Sequence, residues 1–548
     1  MTELQRTVAV TVAVVVPCVL WMCWPLPMEL GVAWTSARAE GDLAWSLVMH
    51  DWATDALTGQ GQWTRDPRVW FPDGGALAAS AWNLVALITT GWLGIGVEPL
   101  AAWHRSMLFI GLCNGLAGGW LGWRVAGRPG AVLAAIACAA SPLAWFEMCE
   151  GRLEQGLVAP LAVCAAEAWA WSRSPRPVLA GLALGLVAAT YWFLGPVALV
   201  TFSVLPLLGP GRVPRPLRSE LRALGVAAAV CLTVLVLALL PILDTAWSGA
   251  QQAAIGDGQL SRIQRVASAI SPFQLVAGGR LPAHRIPLVA VLLLPVALKV
   301  RETRPWVIAM AIGTALAAGS VWSMDGTPVR FAGFEWSLPL RALDALPGFS
   351  RFWWPDRIVA VVLVATAGAL AGLTTVLPPR WLWPGVAIVG GAWAVDARMQ
   401  LRDAVDSGDP RIPTSELDPS PLGGFYTLPT LPETTSSGVL LVGPWSTTAN
   451  LIPLLAIHTG RPLIRGDGAA DARLWPQHFA ERVHASPLLS ALYRQAPLPP
   501  DTLEQLDELK ITSVIWRGHH DDWTSLLGCA PVATGSWHVW DRERSDCR

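Results

Sequence analysis

Uninterrupted apolar stretches dominate the chain as far as about residue 396. An α-helix needs roughly 17 to 25 apolar residues to cross the hydrocarbon core of a bilayer, and most of these stretches approach or reach that length. They predict a polytopic bundle of eleven transmembrane helices. The predicted spans are residues 8–26, 104–123, 130–146, 156–172, 177–194, 196–210, 223–243, 286–300, 305–323, 357–377 and 381–396.

A shorter apolar segment, residues 82–97, interrupts this series. If it crossed the membrane completely, Arg124 and Arg128 would lie on the opposite side from the other basic connectors. We therefore expect this segment to be re-entrant or interfacial.

Basic residues collect in alternate connectors between the predicted spans. Because positively charged short loops stay in the cytoplasm, this alternation predicts a cytoplasmic amino terminus in a bacterial inner membrane. The extracytoplasmic side then holds residues 28–103, the short acidic turn 147–155, residues 244–285, residues 324–356 and the carboxyl-terminal tail. The basic connectors contain Arg124 and Arg128; Arg173 and Arg176; Arg212, Arg215, Arg218 and Arg222; Lys299, Arg301 and Arg304; and Arg380.

The pattern changes after Asp396, where charged residues, prolines and short β-type runs replace the long apolar stretches. Val439–Val442 and Ile511–Trp516 read as strands, with helical patterns at 449–457, 486–494 and 502–510. This order predicts a small extracytoplasmic α/β domain. The predicted division is a membrane domain at 1–396 with a long first outer loop at 28–103, a linker at 397–437, and the α/β domain at 438–548.

Composition supports a membrane protein and excludes several other classes. Apolar residues make up 53% of the chain and charged residues 14%, and the mean hydropathy is +0.44. The 39 basic and 40 acidic residues nearly cancel, so there is no electrostatic support for a nucleic-acid partner. No P-loop and no Cys-x-x-Cys motif occurs, but Cys529 and Cys547 could form a disulfide if the tail is extracytoplasmic.

The first outer loop contains the best candidates for a catalytic carboxylate, Asp42 and Asp51. A helical stripe follows Asp42 and predicts a helix in the membrane interface; it consists of Trp45, Val48, Met49, Trp52 and Ala56. Asp42 falls in the first turn, where it could cap the helix, act as a general base or bind a metal ion. Asp51 and Asp55 share another face, which is typical of the solvated side of such a helix.

Two further outer segments contain candidate substrate-binding residues. The acidic turn holds Glu147, Glu150 and Glu154 with Arg152, which mark either a polar pocket or a charged rim at the end of the bundle. Arg351 and Arg357 flank an aromatic run before the tenth span. Guanidinium groups can hold a phosphate through paired hydrogen bonds, although arginines among tryptophans also occur as ordinary membrane anchors.

Together these features resemble bacterial membrane glycosyltransferases of the GT-C superfamily. The resemblance lies in the first span, the polytopic core, the small outer α/β domain and three short motifs: Asp42 at the opening of the first outer loop, Pro72-Asp73-Gly74, and Pro347-Gly348-Phe349 followed by Trp353-Trp354-Pro355-Asp356-Arg357.

This resemblance implies transfer of a sugar from a polyprenyl-phosphate donor to an acceptor glycan, lipid or protein outside the membrane. It makes Asp42, and after it Asp51, the base or metal ligand, with Arg351 and Arg357 handling the lipid phosphate. The loop contains no Asp-x-Asp pair, so the need for a divalent metal ion stays open, and no cofactor is certain.

Two other functions fit the same architecture. A transporter or flippase of lipid-linked glycans would need charged or broken helices near the membrane midplane, whereas the charges here gather at the outer rim. A non-catalytic membrane scaffold, with the outer domain binding a polymer or another protein, is the second alternative.

Overall fold

The computed structural model of the protein describes residues 2–31, 33–35, 42–62, 65–69, 75–76, 84–209, 213, 215–247, 269–277, 282–321, 323–324, 327–331, 334–335, 338–343, 354–406, 426–427, 431–445, 452–465, 477–518 and 521–547. It is mostly helical, as predicted, with a small sheet near the carboxyl terminus.

The helices as far as residue 406 correspond to the predicted membrane domain and its outer loops. They are α1 (Glu3–Cys23), α2 (Asp42–Leu57), α3 (Leu84–Gly94), α4 (Pro99–Ala139), α5 (Pro142–Cys149), α6 (Leu153–Gly156), α7 (Ala159–Trp171), α8 (Pro177–Thr190), α9 (Leu194–Phe202), α10 (Val204–Leu208), α11 (Leu217–Trp247), α12 (Gln274–Ala277), α13 (Leu288–Lys299), α14 (Arg304–Ala317), α15 (Leu340–Leu343), α16 (Val359–Leu373) and α17 (Pro379–Asp406).

Within the described residues, five helical segments are long and apolar enough to cross a membrane. They are Glu3–Cys23, Pro99–Cys149, Leu217–Ala238, Pro282–Lys299 and Pro355–Val376. Shorter apolar helices lie in the predicted spans 177–194, 196–210 and 305–323, and the predicted spans 156–172 and 381–396 are helical as α7 and α17. A multi-pass membrane protein is therefore indicated, while the count of eleven crossings and the orientation of the termini remain predictions.

The predicted spans 104–123 and 130–146 begin in one kinked helix, α4, whose two arms pack side by side. The backbone leaves the helical conformation at Ala126 and Gly127, and the φ of Gly127 is 67°. Such a positive φ favours glycine, so the chain can reverse here. Close packing also requires glycine inside the arms, because a Cβ atom on Gly122 would overlap the carbonyl oxygen of Gly130.

The core of the membrane domain is centred on α4 and α16, which pack against each other, with α1, α7 and α14 around them. Every residue of α16 is buried. In contrast, few residues of α11 are buried between Leu217 and Ala238, and the helix packs mainly against α8. Helix α11 therefore presents an apolar surface that suits contact with lipid.

The first outer loop contains α2 and α3, which pack against each other and against α4. The structure contains the predicted apolar stripe on α2, but this stripe packs against protein. Trp52 is 1% exposed and packs with Met49, Ala53 and Leu87. Burial against α3 thus replaces the expected interfacial placement. Helix α3 has 11 residues, about 16 Å, which is too short for a crossing.

The tail forms the small α/β domain that the strand and helix patterns predict. Its elements are β9 (Val439–Gly443), α18 (Ile452–Thr459), α19 (Gln477–Ala485), α20 (Pro487–Arg494), α21 (Thr502–Glu508), β10 (Ile511–Arg517), α22 (Asp521–Leu527), β11 (Val532–Thr534) and β12 (Trp537–Asp541). The sheet has the order β11-β12-β10-β9, with β9 and β10 parallel and the other neighbours antiparallel. Strands β11 and β12 and helices α19 and α22 are additions to the predicted pattern, and Cys529 is bonded to Cys547.

The tail domain contacts the first outer loop. The Leu463 backbone N–H donates to the Arg68 carbonyl oxygen at 2.8 Å, and α18 packs against α2. In the predicted linker, Tyr426–Thr427 pairs with Ala33–Trp34 of the same loop. Helix α17 continues to Asp406, ten residues past the predicted end of the membrane domain. Two-residue strands complete the described outer segments: β1 (Ala33–Trp34), β2 (Arg65–Asp66), β3 (Gly75–Ala76), β4 (Ser323–Met324), β5 (Thr327–Pro328), β6 (Arg330–Phe331), β7 (Phe334–Glu335) and β8 (Tyr426–Thr427).

The close contact between the two arms of α4 gives a test of this fold. Replacing Gly122 with Ala should lower the free energy of unfolding by about 1–3 kcal/mol, because the added methyl group forces the arms apart. Gly225 of α11 is the matched control, since a Cβ atom there meets nothing within 4 Å. Thermal unfolding of the purified protein in detergent measures both; equal stability of Gly122→Ala and Gly225→Ala would contradict the hairpin.

Candidate functional site

The acidic turn between α5 and α7 holds a buried ion pair. Glu147 lies in the last turn of α5, and its side chain is 5% exposed. Arg152 donates from Nε to the Glu147 carboxylate and from its backbone N–H to the Glu147 carbonyl oxygen at 2.8 Å. The intervening Gly151 has a φ of 96°, a conformation that favours glycine, and it lets the chain fold back so that Arg152 reaches Glu147.

Arg357 lies in the turn Pro355–Ile358, immediately before α16. Its Nη1 donates to the Tyr191 hydroxyl at 2.9 Å, and its guanidinium carbon lies 4.4 Å from the ring centroid of Trp354. A guanidinium group carries five N–H donors, and in the described part of the chain Tyr191 accepts one of them. The aromatic contacts therefore orient Arg357 and leave donors for an anion.

Asp356 and His284 connect Arg357 with the acidic turn. The His284 Nε2 atom lies 4.0 Å from an Asp356 carboxylate oxygen, and both side chains are largely buried. The charges of Arg152, Arg357 and His284 all act on Glu147, and Arg152 and Arg357 act on Glu154. Separate segments of the chain thus converge on one charge cluster, which consists of Glu147, Arg152, Glu154, Tyr191, His284, Asp356 and Arg357.

At Glu154, burial outweighs the attraction of the carboxylate to the nearby arginines. Burial raises the pKa of Glu154 from 4.5 to about 7, with Arg357 and Arg152 opposing the shift and Glu147 adding to it. A carboxyl group of this kind is partly protonated at neutral pH and can accept or release a proton. The cluster therefore combines anion-binding guanidinium groups with a titrating acid.

Helix α2 lies directly against the acidic turn. The Ser46 hydroxyl donates to the Gly151 carbonyl oxygen at 2.5 Å, and Thr35 donates to the Cys149 carbonyl oxygen at 3.0 Å. Asp42 is the first residue of α2, one helical turn before Ser46, although its side chain lies outside the described part of the structure. The backbone of Asp42 is thus within about one turn, ~5.4 Å along the helix, of a residue that contacts the acidic turn.

Asp51, the second catalytic candidate, lies at a different place. It is nine residues after Asp42, about 14 Å along α2, and its carboxylate binds Arg68 Nη1 at 2.5 Å. Asp66 binds the same guanidinium at 3.0 Å, and Asp55 lies 3.6 Å from it. The expected solvated face of α2 is therefore an ion-pair network, and it lies where the Arg68 backbone meets the tail domain.

Hydrogen bonds and opposite charges keep Arg68, the centre of this second network, charged. Burial disfavours the charge of Arg68, but hydrogen bonds and the charges of Asp66 and Asp51 outweigh it and raise the pKa of the guanidinium. The pKa of Asp55 is raised, mainly by burial and against the pull of Arg68. We interpret the network as a set of ion pairs that stabilises the contact between the first outer loop and the tail domain.

The structure brings some of the candidate residues together and leaves others out. Arg152, Glu154 and Arg357 belong to the charge cluster, and Glu150 is buried beside them at the end of α5. Arg351 and the motifs Pro72-Asp73-Gly74 and Pro347-Gly348-Phe349 lie outside the described residues.

Sequence reasoning included Glu147 in the acidic turn, but it did not select Tyr191, His284 or Asp356 as site residues. Tyr191 and His284 each lie next to the end of an apolar stretch, and Asp356 precedes Arg357 in the aromatic run. A polar side chain at such a helix end was the available signal, but only the tertiary packing shows which ends meet.

The described side chains provide no group of three or more His, Cys, Asp or Glu residues arranged to hold a metal ion. Asp42, which the resemblance makes a potential ligand, has no described side chain.

The fold is similar to that of solved membrane glycosyltransferases. ArnT from Cupriavidus metallidurans bound to undecaprenyl phosphate matches with a TM-score of 0.52 and 13% identity, covering 99% of this chain and 98% of that chain. Its apo state matches with a TM-score of 0.51 and 14% identity, over 98% of both chains. The arabinofuranosyltransferase AftD from Mycobacteria matches with a TM-score of 0.54 and 14% identity, over all of this chain and 40% of that chain.

No protein-family model matches the sequence, and no curated protein matches it. At 13–14% identity, the solved structures establish the fold alone. The chain therefore shares its fold with these solved glycosyltransferases.

The raised pKa of Glu154 predicts how stability depends on pH. Because the folded state holds this proton more tightly than the unfolded state, stability should fall as the pH rises from 4.5 to about 7. Glu154→Gln removes this loss, so the variant should gain about 1–3 kcal/mol relative to wild type at pH 8 compared with pH 4.5.

Thermal unfolding at the two pH values measures this difference. Glu508→Gln in α21 is the control, because that side chain is exposed and should leave the wild-type pH profile unchanged. An unchanged pH profile in Glu154→Gln would show that Glu154 is not held in a desolvated site.

Proposed function

We propose that the protein is a membrane glycosyltransferase that moves a sugar from a polyprenyl-phosphate donor to an acceptor glycan, lipid or protein on the extracytoplasmic face. The observation that carries this proposal is the convergence of Arg152, Glu154 and Arg357, from separate segments, beside the helix that begins at Asp42. The fold shared with ArnT, one structure of which holds undecaprenyl phosphate, supports the choice of donor. The Cys529–Cys547 disulfide supports an extracytoplasmic tail.

In this proposal Arg357 binds the donor phosphate. Tyr191 and Trp354 fix the guanidinium plane, so the remaining N–H groups meet the phosphate oxygens without a large loss of side-chain entropy. Arg152, held by Glu147, adds positive charge at the same place. Both arginines stabilise the negative charge that grows on the phosphate as the glycosidic bond breaks.

Asp42 is the proposed general base. It removes the proton from the acceptor hydroxyl while that oxygen attacks the anomeric carbon. The bond from the anomeric carbon to the phosphate oxygen breaks, and polyprenyl phosphate leaves with the electron pair. A single in-line displacement inverts the configuration at the anomeric carbon, so the product should have the opposite anomeric form from the donor.

A comparison of Asp42→Asn with Asp51→Asn tests the choice of base. Asp42→Asn should lower kcat about 10²- to 10⁴-fold, while binding of the donor is retained. Asp51→Asn should retain kcat but lower the unfolding temperature, because it removes a partner of Arg68. The measurement is transfer of labelled sugar from a polyprenyl-phosphate donor by the purified protein, together with thermal unfolding.

The roles of the two aspartates would be reversed if Asp51→Asn abolished transfer and Asp42→Asn did not. Absence of transfer by the wild type from a panel of polyprenyl-phosphate sugars would instead favour the scaffold alternative.

A second comparison tests the phosphate site. Arg357→Gln should raise the KM for the donor by about tenfold or more, because a charged hydrogen bond to phosphate is lost. Arg330→Gln is the matched control, since Arg330 is exposed in β6 and pairs only at 3.5 Å with Glu335 within the described residues. An unchanged donor KM in Arg357→Gln would contradict its role.

A further inference from the structure

A second cluster of charged and aromatic residues lies at the opposite end of α7 from the charge cluster. Helix α7 starts at Ala159, just after the acidic turn, and its 13 residues span about 20 Å. Side chains at its far end meet the first arm of α4 and the start of α8. This arginine–tryptophan cluster consists of Trp120, Arg124, Glu167, Trp169, Arg173 and Arg176.

Positive charge exceeds negative charge in this cluster. Glu167, whose side chain is fully buried, accepts from Trp120 Nε1 at 3.0 Å and lies 3.7 Å from Arg124 Nε. Arg173 and Arg176 are exposed, and within the described part of the chain neither has a carboxylate partner. Three arginines against one glutamate leave a net charge of about +2 at the end of an otherwise apolar bundle.

Each of the three guanidinium groups in the cluster lies over a tryptophan ring. The guanidinium carbon of Arg176 lies 5.2 Å from the Trp120 ring centroid, that of Arg124 lies 5.7 Å from the same ring, and that of Arg173 lies 5.2 Å from Trp169. A guanidinium stacked in this way keeps its N–H edge available for hydrogen bonds. The geometry therefore suits a bound anion with several oxygen atoms.

Glu220 compensates the charge of Arg215, a basic residue close to the cluster. Arg215 lies 3.5 Å from Glu220, and Glu220 accepts from Trp171 Nε1 at 2.7 Å. Arg215 therefore does not add to the net charge of the cluster.

Apolar surface continues directly from the cluster along α8 and α11. Val178 follows Arg176 by two residues and is 58% exposed, and Leu221 at the start of α11 is also 58% exposed. A ligand at this place meets cationic donors on one side and an exposed apolar surface on the other. A membrane phospholipid has both of the matching parts, whereas a soluble anion has only the first.

We propose that the arginine–tryptophan cluster binds the phosphate group of an anionic phospholipid, whose acyl chains lie against α8 and α11. The site is separate from the charge cluster, and its occupancy does not depend on the proposed sugar transfer. Its expected effect is to fix the relative positions of α4, α7 and α8 at the end of the bundle opposite the charge cluster.

The double variant Arg173→Gln/Arg176→Gln tests this site. Native mass spectrometry of the full-length protein, titrated with phosphatidylglycerol and phosphatidylcholine, measures the affinity for each lipid. Wild type should prefer phosphatidylglycerol, and the double variant should bind it about tenfold more weakly or worse. Each single variant should lose about fivefold, which keeps the test valid if the double variant does not fold.

Arg301→Gln/Arg380→Gln is the matched control, because it removes the same charge from exposed connector positions outside the cluster. It should keep the wild-type preference. Equal binding by wild type and Arg173→Gln/Arg176→Gln, or an equal loss in the control, would overturn the site. Displacement of the lipid by millimolar inorganic phosphate would also overturn it, because the cluster would then be a general anion site.

Discussion

An ionised side chain inside an apolar helix bundle is stable only when an opposite charge or a hydrogen-bond partner compensates for its lost hydration. This constraint explains the arrangement of the few charges in the chain. Glu147 pairs with Arg152, Asp356 lies beside His284, and Arg68 pairs with both Asp51 and Asp66. Each of these pairs either joins segments that are far apart in the sequence or closes a turn. The pairs therefore fix the ends of the helices relative to one another.

The compensation is incomplete at two places, and both are candidates for ligands. At the charge cluster, Arg357 is oriented mainly by aromatic groups, and Glu154 titrates near neutral pH. At the far end of α7, the arginines lie on tryptophan faces with a single carboxylate between them. In the two proposals, a phosphate-bearing lipid binds at each place, as the donor of a reaction at the first and as a structural ligand at the second.

Helix positions could be predicted from the sequence because a membrane-spanning helix requires a long apolar run, and the run is visible without any tertiary information. The parallel strands of the tail domain were equally visible, as β-type runs at Val439–Val442 and Ile511–Trp516. The interfacial placement of the α2 stripe was wrong, because an apolar face that packs against protein and one that packs against lipid have the same pattern. Only the partner distinguishes them, and here the partner is α3.

The site was predicted in part for a related reason. Arg152, Glu154 and Arg357 were visible as charges at the ends of apolar runs, but the sequence did not show that Tyr191 and His284 would meet them. Asp51 and Asp42 also looked alike, since each is an acid on the same amphipathic helix. The distinction depends on Arg68, a residue in a later part of the loop whose contact with Asp51 follows from tertiary structure.

In the proposed function, the charge cluster holds the phosphate of a polyprenyl-phosphate donor. An experimental structure of the full-length protein with undecaprenyl phosphate bound would show where that phosphate lies. Its oxygens should be about 3 Å from the Arg357 guanidinium, with the lipid chain leaving the bundle sideways. A phosphate bound more than about 10 Å from Arg357, beyond any direct contact, would contradict this proposal.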